Sequence, residues 1–459
     1  MLPDNAPLQS SFRSIAWPTI PSPQAAAHLA MQYQLEQSQW LEEQDIRRRQ
    51  LLQLRPLYSH AAQHVPFYQQ HLNALPCDQL APISWEQWQA IPLLTRNDLQ
   101  QAGDSIVSTS LPPGHGKPFP TATSGSTGKP VTVWHNDIIT FFWLAFTLRE
   151  HMWHQRDVAG KRASIRYTGG NNADPPSGLQ FKSWGAPTAI LFKAGPSCIL
   201  DIKTPLDEQA AWLVREQPDY LLTHPTNAHA LAHHFKQSSE RLHNLKEVRT
   251  LAETLTAETV ALCKEVWGVE VTDMYSTKEV GYIALQCPEQ RTYHVQAENV
   301  LVEILREDGT PCRPGEVGKV VITSLHNYAS PIIRYDIGDY AEVGTPCACG
   351  RGLPVINKIM GRVRNILTLP SGIKHWPVFN YPGLEAVVPF RQIQVLQHTP
   401  DSLEVRLVVE KKVSHDQEKQ MKTIIQDALH FPFAVTFSYH DEIPRTRGGK
   451  FEEFISFVS

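Results

Sequence analysis

Apolar residues recur at helical spacing from about His28 to Leu72, where Trp40, Ile46, Leu51, Leu52 and Leu54 stand among charged positions. The run VPFY at 65–68 closes that stretch. From about 120 to 345 short β-rich runs alternate with longer helical ones. PVTVWH (130–135), PDYLLTH (218–224) and EVTDMY (270–275) read as strands. DIITFFWLAFTLREHMWH (137–154) reads as a helix capped by Asp137, its Phe and Trp stripe turned to a core. TAETVALCKEVW (256–267) reads as a helix starting at a threonine cap. Such alternation predicts an α/β domain with mostly parallel sheets flanked by helices.

Beyond Ile322 the chain turns loop- and strand-rich, which predicts a β-rich subdomain. A distinct tail follows. FRQIQVLQHT and DSLEVRLVVE read as a strand pair, SHDQEKQMKTIIQDALH (414–430) as a helix and AVTFSY (434–439) as a strand. The tail is a compact α+β unit of about 95 residues, long enough to fold as its own lid. The expected division is a large domain at 1–361, a hinge at 362–365 and a small mobile C-terminal lid domain at 366–459. Residues 1–27, rich in Pro, Ser, Ala and Gln, predict a loosely structured arm.

A chain of 459 residues can bury a large core. Its formal charge of -4, with basic residues scattered, gives no footprint for nucleic acid or a membrane surface. No apolar stretch reaches the roughly 18–20 residues of a membrane span. The opening MLPDNAPLQSSFRSIAWP lacks the charged and apolar regions of a signal peptide. Seven cysteines, odd in number and spread out, argue against a disulfide scaffold and for the reducing cytoplasm.

The loop TSGSTGKP (123–130) offers backbone N–H groups, hydroxyls and one lysine, the chemistry that holds a triphosphate. It is not a Walker loop, because Thr123 stands where that motif needs glycine and Lys129 is followed by Pro130. A flexible turn would use Gly125 and Gly128 but has no need of so many hydroxyls. Near the other end PRTRGGK places Lys450 behind two glycines.

Cys287 and His294 lie in QCPEQRTYH, and Cys347 and Cys349 in PCACG. Three sulfurs and an imidazole suit a closed, structural zinc site; buried free cysteines are the alternative. Cys77, Cys198, Cys263 and Cys312 have no partners at such spacing.

Five runs occur in a fixed order: TSGSTGKP, MYSTKE (274–279), RYDIGD (334–339), GRVRN (361–365) and PRTRGGK (444–450). Together they resemble the adenylate-forming superfamily of acyl-CoA synthetases, peptide-synthetase adenylation domains and luciferases. VPFYQQHL, PCACGRGLP and the compact length resemble its phenylacetate–CoA ligase branch. The resemblance implies that Ser124, Gly125, Ser126, Thr127, Gly128 and Lys129 hold the phosphates of ATP. It implies that Tyr275 stacks on adenine, with Glu253 in LAET on the adenine side and Ser276, Thr277 and Lys278 beside the nucleotide. Glu279 would ligate Mg²⁺, a hard cation that prefers oxygen. Asp339 would accept from both ribose hydroxyls. Arg334 and Arg362 would touch ribose or phosphate, or else form structural ion pairs. Arg364 and Asn365 would form the pivot, and Lys450, Glu279 and Thr127 the catalytic set. Some relatives in this branch carry zinc in an arrangement like the Cys and His set above.

The sequence departs from the pattern at Ser276 and Lys278, where glycine and a hydroxyl residue are usual, and at Leu251, where relatives often have glycine. Lys278 either replaces the lost hydroxyl with charge or points away. The acid pocket is expected upstream of Tyr275, at His224 and Asn227 in LTHPTNAH and along the polar loop 167–178. His224 is either ligand-facing or a satisfied loop histidine.

The implied reaction is attack of a carboxylate on the α-phosphate of ATP, giving an acyl-adenylate and pyrophosphate. The lid then swings, and a thiol, most often that of CoA in this branch, displaces AMP. An amide-bond synthetase with an amine acceptor would use the same motifs. A noncatalytic nucleotide-binding relative is a third reading, motivated by Ser276 and Lys278. The resemblance also suggests a homodimer. Neither the acid nor the acceptor is fixed by the residues.

Overall fold

The computed structural model describes residues 8–458 apart from Ala16, 73–82, 123–130, 171–172, 363–364, Val378 and 447–448. The chain divides into two compact units, Met1–Ile359 and Met360–Ser459.

In the first unit the N-terminal helical stretch resolves into α1 (Pro23–Ser38), α2 (Glu43–His64) and α3 (Pro66–His71). Ser22 caps α1 by accepting from the Ala25 N–H. Two residues of the helical pattern point outward, since Trp40 and Leu52 are exposed. The expected loose arm is corrected over its described part. The Gln9 N–H donates to the Leu191 carbonyl at 2.8 Å, Leu8 bridges to Phe192, and the Ser11 N–H donates to Ile20. Backbone pairing thus fixes a segment whose composition alone suggests none.

The short helices α4 (Trp85–Gln89) and α5 (Arg96–Ala102) each start on a capping box. Helix α6 (Asp137–Trp153) is capped by Asn136, whose Oδ1 accepts from the Ile139 N–H, and not by Asp137 as expected; the helix starts one residue earlier than that reading required. The remaining helices of this unit are α7 (Ala186–Ala189), α8 (Leu206–Glu216), α9 (Pro225–Gln237) and α10 (Ala257–Trp267), the last capped by Thr256 as expected.

Strands β1 (Phe119–Ala122) and β2 (Thr132–His135) pair antiparallel and flank residues 123–130. Twelve strands form one sheet among the described residues. They are β3 (Arg162–Arg166), β4 (Leu179–Phe181), β5 (Ser197–Asp201), β6 (Tyr220–Thr223), β7 (Glu247–Leu251), β8 (Glu270–Thr277), β9 (Gly281–Gln286), β10 (Tyr293–Val295), β11 (Val300–Leu305), β12 (Val317–Ser324), β13 (Tyr335–Val343) and β14 (Val355–Arg362). Their order is β11-β12-β13-β14-β10-β9-β8-β7-β6-β3-β5-β4. The run β5-β3-β6-β7-β8 is parallel, and β8-β9-β10-β14 begins its antiparallel continuation. The β-rich part expected beyond Ile322 is the far half of this same sheet.

Period-two alternation assigns the faces of the parallel block. Ala163, Ile165, Cys198, Leu200, Leu221, Val248 and Val271 point into one core, shared with α8, α9 and α10. The opposite face carries α6, whose Glu150 bonds to Arg249 of β7 and whose Thr147 bonds to Tyr282 of β9. Parallel strands covered on both faces are what a βα alternation produces.

The second unit holds a short pair, β15 (Leu367–Thr368) with β16 (Lys374–His375), then α11 (Tyr381–Val387). Strands β17 (Gln392–Thr399), β18 (Ser402–Val408), β19 (Ala434–Tyr439) and β20 (Phe454–Ser456) form a sheet ordered β19-β18-β17-β20. Ser414 and Gln417 form a capping box on α12 (His415–Leu429), which buries Met421, Ile425 and Leu429 at helical spacing. The sequence reading missed α11 and β20.

Candidate active site

In an open parallel sheet, ligands gather at the carboxyl ends of the strands. Here those ends are Arg166 of β3, Thr223 of β6, Leu251 of β7 and the tip of β8. His224 caps α9 just past β6, and its Nδ1 stands 3.5 Å from Glu253 Oε1. Glu253 Oε2 accepts from the Thr226 N–H at 3.1 Å and from its hydroxyl at 2.7 Å. Between Leu251 and Glu253, Ala252 adopts a left-handed φ of 71°, a turn that re-aims the chain at the edge of the sheet. Asn227, also expected at the acid, is buried, and its amide donates to Gln209 at 2.9 Å and to the Thr223 hydroxyl at 3.0 Å. Those bonds commit it to holding α8, β6 and α9 together.

A register shift between Tyr275 and Ser276 re-aims the end of β8. Tyr275 is buried, and its hydroxyl donates to Asp339 Oδ2 at 2.8 Å. Ser276 and Thr277 complete the strand, and Glu279 is buried in the turn that follows. Gly281 leaves that turn at φ 80°, and Trp143 of α6 lies 3.4 Å from where its side chain would begin. Lys278 Nζ donates to the Ala122 carbonyl at 2.9 Å, so it reaches the last residue of β1 before 123–130. Ser124, Gly125, Ser126, Thr127, Gly128 and Lys129 lie outside the described residues, as does Arg364.

Arg334 takes the structural alternative. Its guanidinium grips the Glu303 carboxylate at 3.0 and 3.1 Å and also donates to the Gln89 and Ile91 carbonyls. In the second unit the Arg362 N–H donates to Asn365 Oδ1 at 3.2 Å, and the Asn365 amide bonds to the Phe454 carbonyl. Around Lys450 the backbone closes on one residue: Thr446 N–H donates to Lys450 O at 2.8 Å, and Lys450 N–H to Thr446 Oγ1 at 3.1 Å. Gly449 makes this loop at φ 82°.

The ligand atoms of Cys287, His294, Cys347 and Cys349 all lie within 4.8 Å of one another. Cys287 and Cys347 sulfurs are 3.8 Å apart, and Cys349 Sγ is 3.3 Å from His294 Nε2. A tetrahedral zinc with bonds near 2.3 Å to sulfur and 2.0–2.1 Å to nitrogen requires edges of roughly 3.5–3.8 Å. The donor set therefore fits zinc in chemistry and in size.

The sequence reading passed over a buried web behind this edge. Glu150 of α6 bonds to Arg249 and to Arg156, and Arg156 also grips Glu247 at 2.7 Å. Burial opposes the charge on Glu150, but the two guanidiniums win and hold its pKa down to about 2. Asp273 of β8 has no ion pair among the described residues; burial pushes its pKa up to about 7, against hydrogen bonds from Thr250 at 2.7 Å and Tyr293 at 2.8 Å. The charged pair Arg149–Glu150 inside an otherwise apolar helical stripe was the available signal.

The chain is 25% identical to the phenylacetate-coenzyme A ligase of Thermus thermophilus over 458 residues, covering 92% of this chain and 98% of that protein. To the phenylacetate-coenzyme A ligase of Pseudomonas putida it is 25% identical over 399 residues, 83% of this chain and 85% of the other. A family profile described as the CapK C-terminal domain matches residues 384–456. Among solved structures, 2-hydroxyisobutyryl-CoA ligase in the postadenylation state with 2-HIB-AMP superposes with a TM-score of 0.70 at 18% identity, covering 91% of this chain and 90% of that one. The anthranilate CoA ligase AuaEII in complex with anthranoyl-AMP gives 0.54 at 17% identity, covering 75% and 67%. These structural likenesses show a shared fold. No helix among the described residues is long and apolar enough to cross a membrane.

Proposed function

We propose that this chain, phenylacetate–CoA ligase-like in sequence and built on the fold of adenylate-forming CoA ligases, activates a carboxylic acid with ATP and passes the acyl group to CoA. The observation that carries the reading is the bond from Tyr275, near the end of β8, to Asp339, with Lys278 of the following turn tied to the strand that enters 123–130.

In this reading Ser124, Ser126, Thr127 and Lys129, with the backbone of Gly125 and Gly128, hold the β- and γ-phosphates that leave as pyrophosphate. Tyr275 packs on the adenine beside Glu253, and Asp339 accepts from the ribose. Glu279 holds Mg²⁺, which neutralises phosphate charge. The acid enters past His224, and its carboxylate oxygen attacks the α-phosphorus. Two anions meet there, and the Lys450 ammonium offsets their repulsion as the bond forms. The second unit then turns about Arg364 and Asn365, Arg362 lying beside that pivot, and the CoA thiol attacks the acyl carbon and releases AMP. Ser276, Thr277 and Lys278 line the path of the α-phosphate.

Cys287, His294, Cys347 and Cys349 hold a structural zinc; four protein ligands leave no open position for chemistry. The reading takes the protein to be cytoplasmic and homodimeric.

The test is carboxylate-dependent exchange of pyrophosphate into ATP over a panel of acids, followed by mass analysis of products formed with CoA or with amines. A thioester supports the reading; an amide with no thioester replaces the acceptor. Nucleotide binding with no exchange for any acid replaces the enzyme by a binding protein.

A further inference from the structure

Arg166 ends β3 at the carboxyl edge of the parallel block. Ala163 and Ile165 point into the core under α8 to α10, so Arg162, Ser164 and Arg166 face the α6 side. Ser164 pairs with Leu222 and Thr223 with Thr250, so two residues further on Arg166 is level with His224. Leu251 pairs with Met274, which completes a row from Arg166 through His224 and Leu251 to β8.

The carboxylates of Asp201, Glu150, Glu247 and Glu253 are already engaged. Asp201 is the register partner of Arg166 in β5, but its Oδ2 accepts from Thr168 and its Oδ1 from the Lys203 N–H at 2.9 Å. On the α6 side, Glu150 and Glu247 are taken by Arg156 and Arg249. Glu253 serves Thr226 and stands against His224. Among the described residues Arg166 makes no hydrogen bond through its guanidinium and no ion pair. Two cations stand close by: Arg162 on its own strand, and Lys203, whose Nζ lies 5.3 Å from the ring centre of the adjoining Tyr167. Arg166 is exposed at this edge, and desolvation by the protein beside it lowers its pKa, a cost that a bound anion would offset.

We infer that Arg166 binds an anionic group at the far end of the acid, so that the preferred substrates carry a second carboxylate. The inference rests on the ligase reading for where the reacting carboxyl lies, beside the turn that follows β8. Three strand spacings of about 4.8 Å separate β8 from β3, roughly 14 Å in all. An extended diacid lying across the row puts one carboxylate near the nucleotide and the other within reach of a guanidinium, whose paired donors match a carboxylate. A plain monoacid would leave the arginine without a partner.

The experiment measures pyrophosphate exchange with hexanoate and phenylacetate against succinate, adipate and suberate, for wild type, Arg166→Gln and Arg166→Glu. The diacids are expected to lead in wild type. The diacid-to-monoacid ratio of kcat/KM is expected to fall about 10²-fold in Arg166→Gln, on the scale of a broken charge-assisted contact. Arg166→Glu should move the preference toward an acid with a terminal ammonium, 6-aminohexanoate. A wild type that prefers monoacids, or a ratio untouched in both variants, overturns the assignment, and the wild-type panel decides even where a variant fails to fold. If no acid drives exchange, calorimetric titration of adipate into wild type and Arg166→Gln separates the two readings. Binding that needs Arg166 then keeps the anion site and discards the ligase. Binding that is absent, or equal in both proteins, discards the anion site.

Discussion

The Tyr275 hydroxyl donates to Asp339 Oδ2 at 2.8 Å, joining β8 to β13. These strands are four places apart in the sheet order, so the sheet must curl for the two side chains to meet. The contact orients the carboxylate expected to receive the ribose. Asp339→Ala should raise the KM for ATP in pyrophosphate exchange by about 10²-fold or more, from two lost charge-assisted bonds at roughly 1.5–3 kcal/mol each. Tyr275→Phe removes only the orienting bond and should raise it by about 10-fold or less. A KM unmoved in both variants would remove the pair from the nucleotide site.

Lys450 should matter to the first half-reaction far more than to the second. Lys450→Ala is expected to slow adenylate formation by about 10²-fold or more, the scale of a lost stabiliser of developing charge. When the acyl-adenylate is supplied ready-made with CoA, the same variant should form thioester at a rate much nearer wild type. Near-normal exchange in the variant would refute the assignment.

Asp273 makes a pH dependence visible. Its folded pKa of about 7 lies above the ordinary 3.8, chiefly through burial. The unfolded chain therefore loses this proton first as pH rises. The stability that Asp273 contributes is fully present below about pH 3.8 and is lost, by about 1.4 kcal/mol per unit, as pH rises from there to the folded value near 7, above which no more is lost. Asp273→Asn keeps the shape, accepts from Thr250 and donates to Tyr293, and carries no charge at any pH. Its melting temperature should gain on wild type as pH rises from 4 to 7 and keep a constant margin from there to pH 9. A margin that does not change between pH 4 and pH 7 would show that Asp273 is not held protonated.

Local signals carried the sequence far, and long-range pairing set the limit. Thr256 as a cap, the strand at 270–275 and the helix beginning after Ser414 are all fixed by neighbours in the chain. Asn136 shows the ordinary failure: Asn and Asp are equally good caps side by side, and only the bond to Ile139 separates them. The docked arm was illegible because Gln9 and Leu191 meet through backbone atoms that composition does not encode. Strand β20 was missed because its partner β17 lies far back in the chain. In the candidate site, motif spacing pointed to Tyr275, Glu279 and Asp339. It could not show that Arg334 and Asn227 are bound into the framework, since their partners Glu303 and Gln209 come from elements with no motif. Arg166 carries no motif either; only strand register places it beside His224.

The cysteine cluster tests whether the far half of the sheet is held by a metal. Cys287 follows β9, His294 lies in β10, and Cys347 and Cys349 sit in the loop between β13 and β14. One ion on these four donors would pin three neighbouring strands, β9, β10 and β14, at the same end. Purified protein that has met no chelator should contain close to one equivalent of zinc by elemental analysis; less than half an equivalent would count against the site. Because the strands already pair through backbone hydrogen bonds, metal loss should weaken this half without unfolding the chain. Chelation, Cys287→Ser and Cys349→Ser are each expected to lower the melting temperature by about 3–5 °C, a few kcal/mol in a chain of this size. Added zinc should restore the chelated protein but not the variants, because a serine hydroxyl is a poor substitute for thiolate. Tyr275 and Asp339 meet without help from any of the four ligands, so pyrophosphate exchange measured well below the melting point should survive metal removal. Loss of exchange at low temperature, with the melting curve unchanged, would show that the cluster serves the chemistry and not the sheet.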